Sequence, residues 1–178
     1  MRLFVALVPP EEFRRDLERQ GRGLRALCQR GRMVPWENIH LTLAFLGETD
    51  RRAKAERAME RAAGAPFSLH ITRPGRFSGK KGDLWWMGVE VCPPLLALRR
   101  RLVRSLGEEG MWLDDTKSFR PHLTLGRDLR PLPGADLTTW AAACTPGAWQ
   151  TEELILMESR RDESGLRYIP LSRCSMEK

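Results

Sequence analysis

Alternating and helical hydrophobic patterns follow one another along this chain, and the succession occurs twice. Residues 3–8 form a short apolar run that predicts a strand, and Pro9-Pro10 ends it. Proline is tolerated in the first turn of a helix, and Glu11 and Glu12 suit the positive end of its dipole. Phe13, Leu17, Leu24 and Leu27 then give a helical stripe, with Gly21, Gly23 and Gly31 weakening its later part. Residues 34–38 read as a turn-rich approach to a strand over 39–46, which Gly47 closes. A helix is expected over 50–63, a strand over 67–72, a Gly- and Lys-containing loop over 74–83 and a strand over 84–91. From there the order repeats. Pro93-Pro94 breaks the chain, and Leu95, Leu98, Leu102, Val103 and Leu106 make a second amphipathic helix that Gly107 and Gly110 end. Phe119-Arg120-Pro121 leads into another alternating segment. A short helix over 137–144 and closing strands over 152–158 and 168–171, joined by a charged turn around 162–165, complete the chain.

The alternating segments carry the chemistry. His40-Leu41-Thr42-Leu43 occurs again as His122-Leu123-Thr124-Leu125, and the chain has three histidines in all. In a strand, residues i and i+2 share a face and lie ~6.6–7 Å apart. Each copy therefore presents a His and a Thr together and buries two leucines on the other face. The flanking registers agree, since Phe4 stands 36 residues before His40 and Trp86 stands 36 before His122. This is an internal repeat over roughly residues 1–73 and 84–173. Such duplications usually sit around an approximate two-fold axis, which would set the two His/Thr pairs across a cleft within one bilobed unit spanning 1–178.

Composition narrows the setting. Hydrophobic residues make up 42% and charged residues 30% of the 178, which is the balance of a globular domain. No apolar run approaches the ~20 residues of a membrane helix, and the opening segment is too short for a signal peptide. The expectation is a cytoplasmic, monomeric protein. Its net charge of +7 favours a polyanionic partner. Cys28, Cys92, Cys144 and Cys174 form no close pair, and the Cys and His spacings match no zinc site, so no metal and no cofactor is expected. No phosphate-binding glycine loop or dinucleotide fingerprint is present.

Two facing imidazoles can divide acid and base duties, because histidine titrates near pH 6.5. Paired hydroxyls from Thr42 and Thr124, with the fixed charge of Arg127 just past the second strand, suit a phosphate oxyanion. Such a site, lacking a metal, needs an activated phosphodiester such as a strained cyclic phosphate. The plainer alternative is that both His-x-Thr strands are hydrogen-bonded core pairs. His70 lacks the continuation and reads as a structural strand histidine. Phe4 and Trp86 hold equivalent repeat positions and either pack the core or flank the cleft and stack a base. Arg76, Lys80 and Lys81 are candidates for contact with an RNA backbone or for a solvated loop.

The paired motifs, the opening Arg2-Leu3-Phe4-Val5-Ala6-Leu7 and the stretches at 37–47 and 119–125 resemble the two-histidine phosphoesterase superfamily. Within it the chain is similar to bacterial and archaeal RNA 2′,3′-cyclic phosphodiesterases, historically called 2′–5′ RNA ligases. The resemblance implies an α+β fold with antiparallel sheets lining a central cleft and helices outside. It implies metal-independent opening of a terminal 2′,3′-cyclic phosphate on RNA or an oligonucleotide to a 2′-phosphate. His40 and His122 would be catalytic, with His40 as acid and His122 as base, and Thr42, Thr124 and Arg127 would bind phosphate. Two alternatives stay open, ATP-independent joining of cyclic-phosphate and 5′-hydroxyl RNA ends, and non-catalytic binding of an RNA end.

Overall fold

A computed structural model describes residues 1–113, 118–163 and 165–177. The elements run β1 (Arg2–Leu7), α1 (Glu11–Ala26), β2 (Cys28–Met33), a 3-10 turn (Trp36–Asn38), β3 (Leu41–Glu48), α2 (Arg52–Ala62), β4 (Ser68–Phe77) and β5 (Asp83–Val89). They continue with α3 (Pro93–Glu108), β6 (His122–Pro131), α4 (Leu137–Ala143), β7 (Ala148–Gln150), β8 (Glu153–Asp162) and β9 (Gly165–Ser175). The fold is the expected α+β type. Among the described residues, no helix is long and apolar enough to cross a membrane.

The sheet is continuous rather than split in two. Its order is β7-β4-β5-β6-β3-β1-β8-β9, with β2 on β6 off that path, and every pairing is antiparallel. The halves β3-β1-β8-β9 and β6-β5-β4-β7 meet at one ladder pair, Leu41 with Leu123. So narrow a junction lets the halves splay as two lobes. The helices cross between them. α1 leaves β1 but packs on β2 and β6, whereas α3 leaves β5 and packs on β3 and α2.

One core results, shared by both lobes. Leu3, Val5, Leu7 and Leu41 of the first join Met87, Val89, Leu123 and Leu125 of the second, under Leu17, Met59, Leu98 and Leu102 of the helices. Each such side chain contributes roughly 1.5–3 kcal/mol by leaving water. A smaller cluster of Leu24, Cys28, Trp85 and Leu129 lies under the end of α1.

Several elements differ from the sequence expectation. β2 and β7 were not expected, because Cys28–Met33 carries three polar residues and a glycine, and Ala148–Gln150 is too short to show a period. β4 runs through Pro74 to Phe77 and β5 begins at Asp83, so only residues 78–82 of the expected 74–83 loop stay outside the strands. β6 runs on to Pro131, which places Arg127 inside a strand rather than past its end. β8 ends at Asp162 and β9 begins at Gly165, and residue 164 of the expected turn lies outside the described residues.

Candidate active site

The two leucines that join the lobes belong to the repeated tetrapeptides. Leu41, Leu43, Leu123 and Leu125 are all at most 2% exposed, on the helix-covered face of the sheet. Period-two alternation then turns His40, Thr42, His122 and Thr124 to the opposite, open face. Continuing the Leu41–Leu123 register antiparallel brings His40 towards Thr124 and Thr42 towards His122. The pairing that closes the sheet thus assembles the cleft. All four polar side chains are half-buried.

The imidazoles are held alike. His40 Nδ1–H donates to the Asn38 carbonyl at 2.7 Å, and His122 Nδ1–H donates to the Arg120 carbonyl at 2.6 Å. A carbonyl only accepts, so both neutral rings carry their proton on Nδ1 and leave the Nε2 lone pair free. At His40 that lone pair takes the Thr42 hydroxyl, 3.0 Å away. Among the described residues, no matching bond joins His122 to Thr124.

Both rings are also clamped by aromatics. Phe4 lies 4.8 Å from His40 between ring centroids, and Tyr168 meets it edge-on at 4.8 Å. Trp86 lies 5.8 Å from His122, and Phe77 meets it edge-on at 5.4 Å.

Burial depresses the basicity of both histidines. His40 is pushed down to about 4, chiefly by desolvation, with smaller contributions from the charge of Arg127 and from His122; its bond to Asn38 opposes the shift. His122 is lowered for the same first reason, with Arg127 adding to it and the Arg120 carbonyl opposing. Without substrate both rings are therefore neutral near pH 7.

Arg127 reaches this face through the first of two bulges in β6. Alternation from Thr124 alone would turn it to the core. β6 instead has an extra residue where Thr124 and Gly126 face Trp86 and Trp85, and another between Gly126 and Leu129. The first returns Arg127 to the side of His122 and Thr124, while Trp85 and Leu129 stay buried behind. The second centres on Asp128, which has φ 56°, a left-handed conformation uncommon outside glycine. Arg127 has no carboxylate partner among the described residues.

The two aromatic candidates separate. Phe4 is only 2% exposed, packed with Ala6, Ile155 and Met157, so it offers no open face to a base. Phe45, 6.0 Å from it and 66% exposed, is the free ring on that rim. Trp86 is half-buried and lies over Gly75, where any Cβ would come within 2.1 Å of the indole.

Sequence reasoning missed Asn38, Tyr168 and Phe77. Asn38 and Arg120 are equivalent repeat positions, each two residues before its histidine, which was an available signal. Tyr168 and Phe77 had none, because β9 and β4 reach the site only through the sheet order. Asn38 ties β9 in place, donating to Leu166 O at 2.8 Å and accepting from Tyr168 N at 3.2 Å. Arg14 of α1 in turn donates to the carbonyls of Trp36 and Glu37, both 3.3 Å away, and holds the turn that precedes His40.

Beside Tyr168 opens a pocket of about 350 Å³ lined by Pro9, Arg14, Ile155, Met157 and Arg173. A cavity of about 200 Å³ between α1 and β6 lies behind the sheet, away from the histidines. Among the described residues, no group of three His, Cys, Asp or Glu side chains stands as metal ligands would. His70 is exposed, on β4, with Nδ1 3.6 Å from Glu90.

The signature of one protein family, the 2'-5' RNA ligase superfamily, matches residues 9–163. The chain belongs to this superfamily. It is 30% identical over 184 residues to the RNA 2',3'-cyclic phosphodiesterase of Escherichia coli K12, covering 98% of this chain and 96% of that one. The crystal structure of TT0787 from Thermus thermophilus superposes with a TM-score of 0.79 at 29% identity, covering 99% of this chain and 98% of that one. E. coli LigT complexed with 3'-AMP superposes with a TM-score of 0.73 at 27% identity, with the same coverage.

Proposed function

We propose that this protein hydrolyses terminal 2′,3′-cyclic phosphates on RNA to 2′-phosphates, without a metal, using His40 and His122 as the acid–base pair. The observation that carries this reading is the pairing of Leu41 with Leu123, which turns two His/Thr pairs onto one open face beside Arg127. One neutral imidazole takes a proton from water as the water oxygen bonds to phosphorus. The P–O3′ bond breaks, and the charged imidazole gives its proton to the departing O3′. The products are a 2′-phosphate and a free 3′-hydroxyl. Thr42, Thr124 and Arg127 bind the non-bridging oxygens, whose charge grows in the transition state.

The substrate itself supplies the missing proton affinity. Both rings are neutral in the free protein, and an anionic phosphate between them favours the charged form of one. Burial disfavours the charged form of both rings, and the division of duties follows the resemblance, with His40 as acid and His122 as base. Relatives named RNA 2',3'-cyclic phosphodiesterase and a LigT structure holding 3'-AMP support the substrate class.

The test is to incubate the protein, with excess EDTA, with an oligonucleotide ending in a 2′,3′-cyclic phosphate and to identify the end group. A 2′-phosphate is expected. A 3′-phosphate would reverse the scissile bond, a joined product would support ligation, and turnover that needs an added divalent ion would exclude the metal-free site.

A further inference from the structure

β2 and β6 pair two arginines with two arginines. Arg30 stands opposite Arg130, and Arg32 stands opposite Arg127. Like charges directly opposite on neighbouring strands destabilise a sheet. Two such pairs in succession are a cost that nothing in the fold requires. The bulge at Asp128 creates the second pair, since it lets Arg127 and Arg130, three apart, face Arg30 and Arg32, two apart. Asp128 takes Arg32 at 2.7 Å. Arg30, Arg127 and Arg130 have no carboxylate partner among the described residues.

The outer arginines are instead tied to backbone. Arg30 donates to Lys81 O at 3.0 Å, and Arg130 donates to Lys80 O at 3.2 Å and Lys81 O at 3.3 Å. These bonds fix the 78–82 turn against the ladder, with the side chains of Lys80 and Lys81 exposed. A guanidinium has five N–H donors, so each keeps others facing solvent. The result is a rigid positive track. It begins at Arg127, beside the catalytic histidines, and runs away from them along β6.

We propose that this arginine ladder binds the internal phosphates of the RNA strand whose cyclic end sits in the cleft. The inference rests on the phosphodiesterase reading, and it goes further in making the preferred substrate a polymer end rather than a free cyclic nucleotide. Opposed cations become favourable once a phosphate lies between them. The step from the Arg32–Arg127 pair to the Arg30–Arg130 pair is about two strand residues, ~6.6 Å, enough for one further phosphate of an extended strand.

The test uses the double variant Arg30→Gln/Arg130→Gln, in which the amide at position 130 stands where Arg130 Nε meets the Lys81 carbonyl and whose sites lie outside the catalytic group. A single-stranded oligonucleotide ending in a 3′-phosphate serves as the binding probe. The Arg30–Arg130 pair holds one phosphate, and each phosphate no longer neutralised flattens the logarithmic salt dependence by ~0.7, so the variant's slope should be shallower by about 0.7, with binding about tenfold weaker at low salt. The kcat/KM for an oligonucleotide with a cyclic end should fall in parallel, and that for a 2′,3′-cyclic mononucleotide should not move. Arg30→Lys/Arg130→Lys keeps the charge and should keep the salt slope. An unchanged slope in the glutamine variant, or equal losses on oligonucleotide and mononucleotide, overturns the proposal. If the wild type hydrolyses neither substrate, the phosphodiesterase reading fails, and the binding arm alone decides the ladder.

Discussion

At the scale of single residues, the site is two imidazoles in the same tautomer, which the proposed reaction needs in different protonation states. His40→Ala and His122→Ala should each remove most of the turnover, and the double variant should lose little more, because the pair acts as a unit. His70→Ala is the control and should stay active. A cyclic substrate with sulfur in place of the leaving ribose oxygen needs no general acid. It should rescue the variant at the acid, expected to be His40→Ala, and leave the variant at the base inactive; rescue of His122→Ala instead would reverse the assignment. The threonines make a separate prediction. Thr42→Val and Thr124→Val keep shape and strand propensity but lose a donor to an anion, worth ~1.5–3 kcal/mol. The kcat/KM should fall about tenfold or more with both variants still folded. Unchanged kinetics in both variants would remove the hydroxyls from the site.

At the scale of elements, what positions His40 is a chain of contacts from helix to turn to strand. Arg14 of α1 holds the Trp36–Asn38 turn, the Asn38 carbonyl fixes the imidazole, and the Asn38 side chain pins β9 so that Tyr168 meets the ring edge-on. Asn38 is 9% exposed. Asn38→Ala would leave the Leu166 carbonyl and the Tyr168 amide unpaired, each costing ~1–3 kcal/mol. The expected result is a clear drop in melting temperature, with a smaller loss of turnover than at either histidine. A variant of wild-type stability would show that β9 is held by its pairing with β8 alone. The motif strands were legible because alternation and repetition survive in sequence. β2 was not, since Cys28–Met33 owes its strand state to pairing with β6 rather than to its own pattern.

At the scale of the whole molecule, the fold keeps His40 neutral and therefore depends on pH. Its folded pKa, about 4, lies below the unfolded value of 6.5. For a depressed histidine the stability is fully present above the unfolded pKa and is lost as pH falls from 6.5 towards 4. The loss should reach about 2 kcal/mol by pH 5, a window in which ordinary carboxylates remain ionised. Denaturant melts at pH 7 and pH 5 would measure it, and His40→Gln should remove most of the difference; an equal loss in that variant would place the effect elsewhere. By itself the sequence determined the duplication, the four residues that face the cleft, the leucines behind them and the net positive charge. Each of these is a matter of period, count or spacing, which the chain carries locally. Tertiary structure decided the rest. The Leu41–Leu123 junction, the crossing of α1 and α3 between lobes, and the arrival of Tyr168 and Phe77 beside the histidines all depend on which strands pair. So do the buried state of Phe4 and the opposition of Arg30 and Arg32 to Arg130 and Arg127, because register across strands distant in sequence is set by the closed sheet and not by any one segment.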